Sequence, residues 1–115
     1  PLPVARLDLA RIATMSFRAP CETRWPALRL AREVMRTGGL AGAAFNAAKE
    51  AALDSFLARS IRFTDMGPVV ETVLERMGAE DALKCDALSL DAVREADHVA
   101  RMRAAEAAAE LATTA

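Results

Sequence analysis

The side chains that could carry out catalysis are few in this sequence, and they are scattered along it. His98 is the only histidine among the 115 residues, and it stands between Asp97 and Val99 in a helical pattern. A histidine there could act as a general base, but no Ser or Cys close to it could be the nucleophile that it would activate. We therefore interpret His98 as a half-exposed surface histidine.

Lys49 is the other side chain that invites a catalytic interpretation, because it falls at the margin of an apolar helix face. The residues four positions before and after it are Phe45 and Leu53, so no carboxylate one helical turn away can pair with it. A buried lysine with a lowered pKa can act as a base or a nucleophile. The alternative, which we favour, is that the stem packs on apolar surface while the ammonium reaches water.

Patterns typical of a metal site or a nucleotide loop are missing from the sequence. Cys21 and Cys85 are far apart and belong to no CxxC pair, and the acidic residues form no Asp-x-Glu or Asp-x-Asp. The segment Gly38–Gly42 matches neither GxGxxG nor a P-loop, so we interpret it as a turn with a helix cap. A Cys21–Cys85 disulfide is possible, but no secretory signal supports it.

Charge and composition exclude several classes of function. Thirteen arginines and two lysines stand against 16 acidic residues, for a net charge of −1, which removes the long-range attraction to nucleic acids and anionic lipids. Because the arginines are interspersed with Glu and Asp, we interpret them as solvated helix faces rather than a phosphate site. No stretch is free of charge over the roughly 18 residues that a membrane span needs. We expect a cytoplasmic protein that binds neither nucleic acid nor membrane.

The hydrophobic pattern predicts an all-α fold, a four-helix bundle. Twenty-seven residues are alanine and only 4% are aromatic, a composition that favours closely packed helices. The predicted helices span about 26–36, 40–60, 66–77 and 89–111, with a polar connection over 79–88.

The character of each helix predicts its place in the bundle. The second helix is the most apolar, so we expect it to be central and Phe56 to lie on its most buried face. Thr64 or Asp65 should cap the third helix. The last helix has a narrow stripe that is nearly all alanine, which predicts a position on the outside of the bundle.

The N-terminal residues differ from the helical part. Ala13–Phe17 alternates apolar and polar residues with period two, which predicts a strand, while Leu7–Ile12 could form a helical turn. One strand cannot form a sheet, so its backbone groups need partners that this chain does not contain. The first residue is also Pro rather than Met, so we expect a processed product or a fragment. Residues 1–25 are therefore predicted to be a linker and strand from a missing domain, and residues 26–115 the helical bundle.

Seven short stretches carry a resemblance to a known enzyme family. In chain order, they are Leu7–Leu9, Thr14–Pro20, Arg24–Ala31, Phe45–Glu50, Phe56–Leu57, Ile61–Asp65 and Ser89–Ala92. Their order and spacing resemble the C-terminal part of 1-deoxy-D-xylulose 5-phosphate reductoisomerase, over essentially the whole chain. One position departs from that family, because Lys49 stands where the family usually has Asn.

The resemblance implies a three-domain enzyme of which this chain is the C-terminal helical domain. In the family, an N-terminal Rossmann-like domain binds NADPH, and a central domain holds the substrate and a divalent metal, Mg or Mn. The enzyme converts deoxyxylulose phosphate to methylerythritol phosphate with NADPH, a step toward isoprenoid precursors. The family's nucleotide-binding glycines and metal-binding carboxylates have no match here, so we expect no catalytic, cofactor-binding or metal-binding residue in this segment.

The resemblance also implies the partners. They are the missing N-terminal and central domains of the same enzyme, which is expected to be a homodimer. The alternative is a free-standing helical module that binds a partner protein through its alanine-rich face. The unpartnered strand favours the C-terminal domain of an enzyme over the free-standing module, because a free-standing module contains no sheet with which the strand could pair.

Overall fold

The computed structural model describes residues 3–85 and 88–114. The elements in this part of the chain are a short helix α1 (Leu9–Ile12) and four longer ones, α2 (Pro26–Thr37), α3 (Ala41–Leu57), α4 (Met66–Ala79) and α5 (Leu90–Thr114). A 3₁₀ turn, Phe63–Asp65, joins α3 to α4. These described ranges contain no strand, so the predicted all-α architecture is confirmed. The predictions for residues 1, 2, 86, 87 and 115 lie outside the described residues.

Helix α2 begins and ends where its sequence signals predict. Pro26 occupies the first turn, where its missing N–H costs no hydrogen bond. Gly38 and Gly39 follow the helix with φ of 66° and 53°. A Cβ atom on Gly39 would lie 2.7 Å from the carbonyl oxygen of Leu83, and that same oxygen accepts the N–H of Leu40 at 3.1 Å. Glycine is therefore required at residue 39 for space as well as for conformation.

Helix α3 is central, as predicted, but its buried face is made of alanines rather than aromatic residues. The buried positions are Ala41, Ala44, Ala47, Ala48 and Ala52. The prediction for Phe56 is wrong, because this side chain is only half-buried and packs edge-on against Phe63, with ring centroids 5.7 Å apart. The small side chains bring the neighbouring helices close to the α3 backbone, which leaves the larger ring at the margin of the contact.

The C-terminal end of α3 comes three residues earlier than the pattern predicts. The helix ends at Leu57, and Arg59 then takes a left-handed conformation with φ of 61°. The N–H of Ser60 bonds to the carbonyl of Ser55 at 3.0 Å, which satisfies a carbonyl that the last turn would otherwise leave open. A local backbone reversal thus ends the helix without a glycine.

Helix α4 supplies the largest fully buried side chains of the core, Val69, Val73 and Met77. The helical spacing of the sequence predicts an apolar stripe of Val69, Val70, Val73, Leu74 and Met77, and all of these except the half-buried Leu74 are buried. The prediction that the side chain of Thr64 or Asp65 caps this helix is wrong, because α4 has no side-chain cap hydrogen bond. Asp65 occupies the position before α4, but its carboxylate accepts the N–H and the Nε–H of Arg62, each at 2.9 Å. The 3₁₀ turn directs this carboxylate back toward Arg62, so it does not cap α4.

The alanine stripe of α5 predicts a peripheral helix, and this is wrong. Helix α5 packs more extensively against α3 than any other helix does. Its buried positions are Ala96, Ala100, Ala104, Ala107 and Ala108. Because alanine side chains let two helices approach closely, a stripe that is only weakly apolar becomes a dense contact. Ser89 caps the helix, with its Oγ accepting the N–H of Ala92 at 3.1 Å.

Residues 3–25 lie outside the bundle. Every one of them is exposed. Helix α1 is a single turn in which the carboxylate of Asp8 accepts the N–H groups of Ala10 and Arg11. Residues 13–17 form no strand in the described part of the chain: Ala13 has φ of 60°, and the N–H of Thr14 bonds to the carbonyl of Ile12 at 2.6 Å. Pairing of this segment with a missing sheet therefore stays a prediction. None of the helices in the described residues is long and apolar enough to span a membrane.

Candidate functional site

The side chains that the sequence singles out for chemistry lie apart in the structure. His98 is exposed on α5, as predicted. Lys49 is exposed on α3, and its Nζ donates a hydrogen bond to Oδ1 of Asn46 at 3.1 Å. The ammonium therefore reaches the surface, which is the interpretation that we favour for this lysine.

The other candidate groups are the two cysteines, the possible metal ligands and the Gly38–Gly42 segment. Cys21 is exposed and Cys85 is half-buried, and the two form no disulfide in the described structure. Within residues 3–85 and 88–114, no three His, Cys, Asp or Glu side chains come together in a way that could hold a metal ion. Gly38–Gly42 forms the turn between α2 and α3 and the start of α3. The charged groups that do come together in the described residues form ion pairs, some within one helical turn and some between helices.

The first cluster of ion pairs joins α3 to α5. Arg101 donates from Nε to Oδ2 of Asp97 at 2.7 Å and from Nη2 to Oε2 of Glu50 at 2.6 Å. Asn46 donates to the other oxygen of Glu50 at 3.0 Å. Hydrogen bonds from the guanidinium of Arg101 hold the pKa of Asp97 and the pKa of Glu50 below their ordinary values. This cluster links α3 to α5 at the edge of their contact, where its side chains are 39–46% exposed.

A second cluster holds α2 against α4. Arg29 donates from Nη1 to Glu33 at 2.9 Å and from Nη2 to the carboxylate of Glu71. These two carboxylates raise the pKa of Arg29 above its ordinary value, so the guanidinium stays charged. Beside it an open cavity of about 280 Å³ separates α2 from α4 and the following turn. The larger apolar side chains that line it are Leu30, Val34, Leu74 and Leu83, and charged side chains such as Glu75 and Lys84 line it as well.

Both clusters have a geometry that joins helices rather than one that transforms a substrate. In each, a guanidinium lies between two carboxylates, and the hydrogen bonds run across helices or along one helical turn. The members described above include no hydroxyl or thiol that a base could activate. The cavity is slightly smaller than the roughly 300–1,000 Å³ of ordinary ligand pockets. We therefore assign these groups a structural role.

The most unusual surface lies in the N-terminal segment. Six large apolar side chains there are exposed by 38 to 84% of their area: Val4, Leu7, Leu9, Ile12, Met15 and Phe17. A concentration of exposed apolar side chains in one segment is typical of a surface that another protein surface covers. The candidate functional feature of this chain is thus a contact surface.

Comparison with known proteins is consistent with this geometry. The family model described as the DXP reductoisomerase C-terminal domain matches residues 2–103. The chain is 57% identical over 102 residues to the 1-deoxy-D-xylulose 5-phosphate reductoisomerase of Ruegeria pomeroyi, covering 89% of this chain and 26% of that protein. It is 55% identical over 107 residues to the enzyme of the same name from Cereibacter sphaeroides, covering 93% of this chain and 27% of that protein.

A solved structure also has this fold. The 1-deoxy-D-xylulose 5-phosphate reductoisomerase of Zymomonas mobilis, in complex with NADPH, superposes with a TM-score of 0.76 at 36% identity. The match covers 92% of this chain and 27% of that one. The chain therefore spans about a quarter of the length of the relatives that it matches.

Proposed function

Since the chain belongs to the family of DXP reductoisomerase C-terminal domains, we propose that it is the C-terminal helical part of such an enzyme. The enzyme converts 1-deoxy-D-xylulose 5-phosphate to methylerythritol phosphate with NADPH, a step toward isoprenoid precursors. This segment supports the enzyme and supplies no catalytic residue. The observation that carries the proposal is the 57% identity over 102 residues with an enzyme of that name.

The cofactors of the proposed enzyme bind outside this segment. NADPH and a divalent metal, Mg or Mn, are held by the domains that precede it. The relative from Zymomonas mobilis is described in complex with NADPH, and this chain matches only 27% of it. Gly38–Gly42 forms the turn after α2 and the start of α3 rather than a glycine-rich loop after a strand, which supports placing the nucleotide elsewhere.

Residues 1–25 serve as the linker and strand that connect the bundle, residues 26–115, to the central domain. Residues 13–17 pair there with a sheet of that domain. The exposure of every residue from 3 to 25 supports this, because the bundle makes no use of their apolar side chains. The proposed enzyme is a cytoplasmic homodimer that binds neither nucleic acid nor membrane.

The structure weakens the alternative of a free-standing interaction module. That alternative needs an alanine-rich face of the domain for a partner protein. The alanines of the predicted stripe on α5, Ala96, Ala100, Ala104 and Ala107, are at most 4% exposed, because they pack inside the domain. This stripe is therefore already covered by the bundle itself.

A chimeric enzyme tests the proposed function. In the chimera, this chain replaces the matching quarter of the Ruegeria pomeroyi relative, and the control is the same relative truncated before that quarter. We expect the chimera to oxidise NADPH in the presence of 1-deoxy-D-xylulose 5-phosphate and the truncated protein to be inactive. The 115-residue chain alone should give no heat of NADPH binding in calorimetry. A soluble, helical chimera without turnover, or micromolar NADPH binding by the chain alone, would contradict the proposal.

A further inference from the structure

Helix α2 has a second apolar face that the bundle does not use. Leu30 and Val34 face the core from one side of the helix. On another side lie Trp25, Leu28 and Met35, which are 55%, 42% and 83% exposed. Trp25 is the residue directly before α2, and at 100° per residue the three positions fall within a sector of about 80°, which also contains the exposed Arg32. We call Trp25, Leu28 and Met35 the outer stripe.

The N-terminal segment lies against the same side of α2. Arg32 falls inside the sector of the outer stripe, and its guanidinium donates to the carboxylate of Glu22. The guanidinium of Arg24 lies over the ring of Trp25, 5.4 Å from the ring centroid. The outer stripe is thus flanked by the residues that, under the proposed function, lead to the rest of the enzyme.

Exposed apolar side chains are concentrated on this part of the molecule. Of the fifteen large apolar side chains that are exposed among the described residues, nine lie between residues 4 and 35. Within its described residues α4 contributes none, and α5 contributes Leu90 and Met102. The surface that most needs a partner is therefore the outer stripe together with the segment that precedes it.

We propose that the outer stripe of α2 docks on the domain that precedes this segment in the same polypeptide, and that this contact fixes the orientation of the bundle. The inference rests on the proposed function. The matched domain is the C-terminal one and makes up 26% of the Ruegeria pomeroyi relative, so most of that polypeptide precedes it. Helix α2 is the first long helix after the linker, so its outer face is within reach of the preceding domain.

Tethering favours this occupant over a second copy of the chain. A short linker holds two covalently joined surfaces at an effective concentration of about millimolar, well above the concentration of a free second copy. The Glu22–Arg32 ion pair joins the end of the linker to α2. The outer stripe and the linker then form one contact surface, with the strand of residues 13–17 as its other part.

Methionine oxidation tests the proposal with a control inside the same chain. Met35 on the outer stripe is 83% exposed, and Met102 on α5 is 48% exposed. Hydrogen peroxide oxidises both, and mass spectrometry gives each rate in the 115-residue chain and in the chimera described above. Because exposed methionines oxidise faster, we expect Met35 to react at least about tenfold more slowly in the chimera, and Met102 to change by less than about twofold.

Each outcome decides for or against the docking. Equal Met35 rates in the two proteins would overturn it. If Met35 becomes protected in the 115-residue chain alone as its concentration rises, the occupant is a second copy and the proposal is wrong. An active chimera with unprotected Met35 would support the proposed function and refute the docking. An inactive chimera with protected Met35 would support the docking and contradict the proposed function.

A substitution gives a second measurement. In the chimera, Leu28→Asp should expose the linker and speed tryptic cleavage after Arg18, because a carboxylate cannot be buried in an apolar contact without a partner. The matched control is Leu57→Asp, at a leucine that is 68% exposed at the end of α3. Equal cleavage rates for the two variants would contradict docking through α2.

Discussion

Replacing Gly39 with alanine should destabilise the bundle by about 2–5 kcal/mol. Residue 39 has φ of 53°, a left-handed conformation that costs an L-residue about 1–2 kcal/mol. The new Cβ would also lie 2.7 Å from the carbonyl oxygen of Leu83, and the shift that relieves this contact costs about 1–3 kcal/mol more. That oxygen accepts the N–H of Leu40, so moving it disturbs the junction between α2, α3 and the turn after α4.

Gly42 provides the matched control, because the chemical change is the same and the expected sign is opposite. It lies in the first turn of α3, and no heavy atom of a neighbour lies within 4 Å of an added Cβ. Alanine in a helix is more favourable than glycine by about 0.5–1 kcal/mol, so Gly42→Ala should stabilise the domain.

Urea unfolding followed by far-ultraviolet circular dichroism measures both variants in the 115-residue chain. We expect the unfolding midpoint to fall for Gly39→Ala and to rise for Gly42→Ala, with the slope unchanged in both. If Gly39→Ala unfolds at the midpoint of the unaltered chain, the close approach of Leu83 to the glycine turn is wrong.

Three other perturbations have outcomes that follow from burial and charge. Met77→Ala should cost about 2–5 kcal/mol, because Met77 is fully buried, whereas Met102→Ala at the surface should cost less than about 0.5 kcal/mol. Urea unfolding of both variants gives the ranking, and equal losses would contradict the position of Met77 in the core. Arg101→Met should weaken the decrease in the free energy of unfolding that acidic pH causes. The two carboxylates that Arg101 contacts have lowered pKa values in the folded protein. Their contribution to the free energy of unfolding is therefore fully present above the unfolded pKa of about 4, and it is lost as the pH falls through the lowered pKa of the folded protein. Urea midpoints measured from neutral to acidic pH check this, and parallel curves for the two proteins would refute it. Deleting residues 1–17 should leave the helical circular dichroism of the bundle in place and reduce self-association in sedimentation, because none of these residues that the structure describes is buried and a strand edge pairs readily with another copy. Loss of the helices in the deletion variant would place this segment in the core instead.

Helix boundaries could be predicted where the signals are local. Pro26 and Gly38 mark the two ends of α2 through φ preferences that need no tertiary contact. The end of α3 could not be predicted in the same way. Its reversal occurs at Arg59, a residue type that seldom takes positive φ and leaves no recognisable signal in the sequence.

Burial was harder to predict than helix formation. In a hydrophobic pattern, Phe56 is strongly apolar and predicts burial, whereas alanines such as Ala48 and Ala100 are only weakly apolar. In the structure both alanines are fully buried and the phenylalanine is not. The distance between two helices depends on the side chains that face each other across the contact, and the pattern of a single helix does not contain that information.

The ion-pair clusters were predictable only in part. Asp97 and Arg101 are four residues apart on one helix, a spacing that predicts their contact. Glu50 is the third member and lies 51 residues away in the sequence, so only the packing of α3 on α5 brings it to Arg101. The same holds for Glu71, which reaches Arg29 from another helix.

The contact between α3 and α5 has a consequence for mutational mapping. Its fully buried residues are alanines, so an alanine scan would leave the centre of the most extensive helix contact in the described structure unchanged. Such a scan would measure the fully buried Val69, Val73 and Met77 of α4 and would miss the buried alanines of α3 and α5. Almost every replacement that a random library makes there adds volume, at a cost of about 1–3 kcal/mol. The buried part of this contact is thus sensitive to larger side chains, and a scan with larger residues is needed to measure that sensitivity.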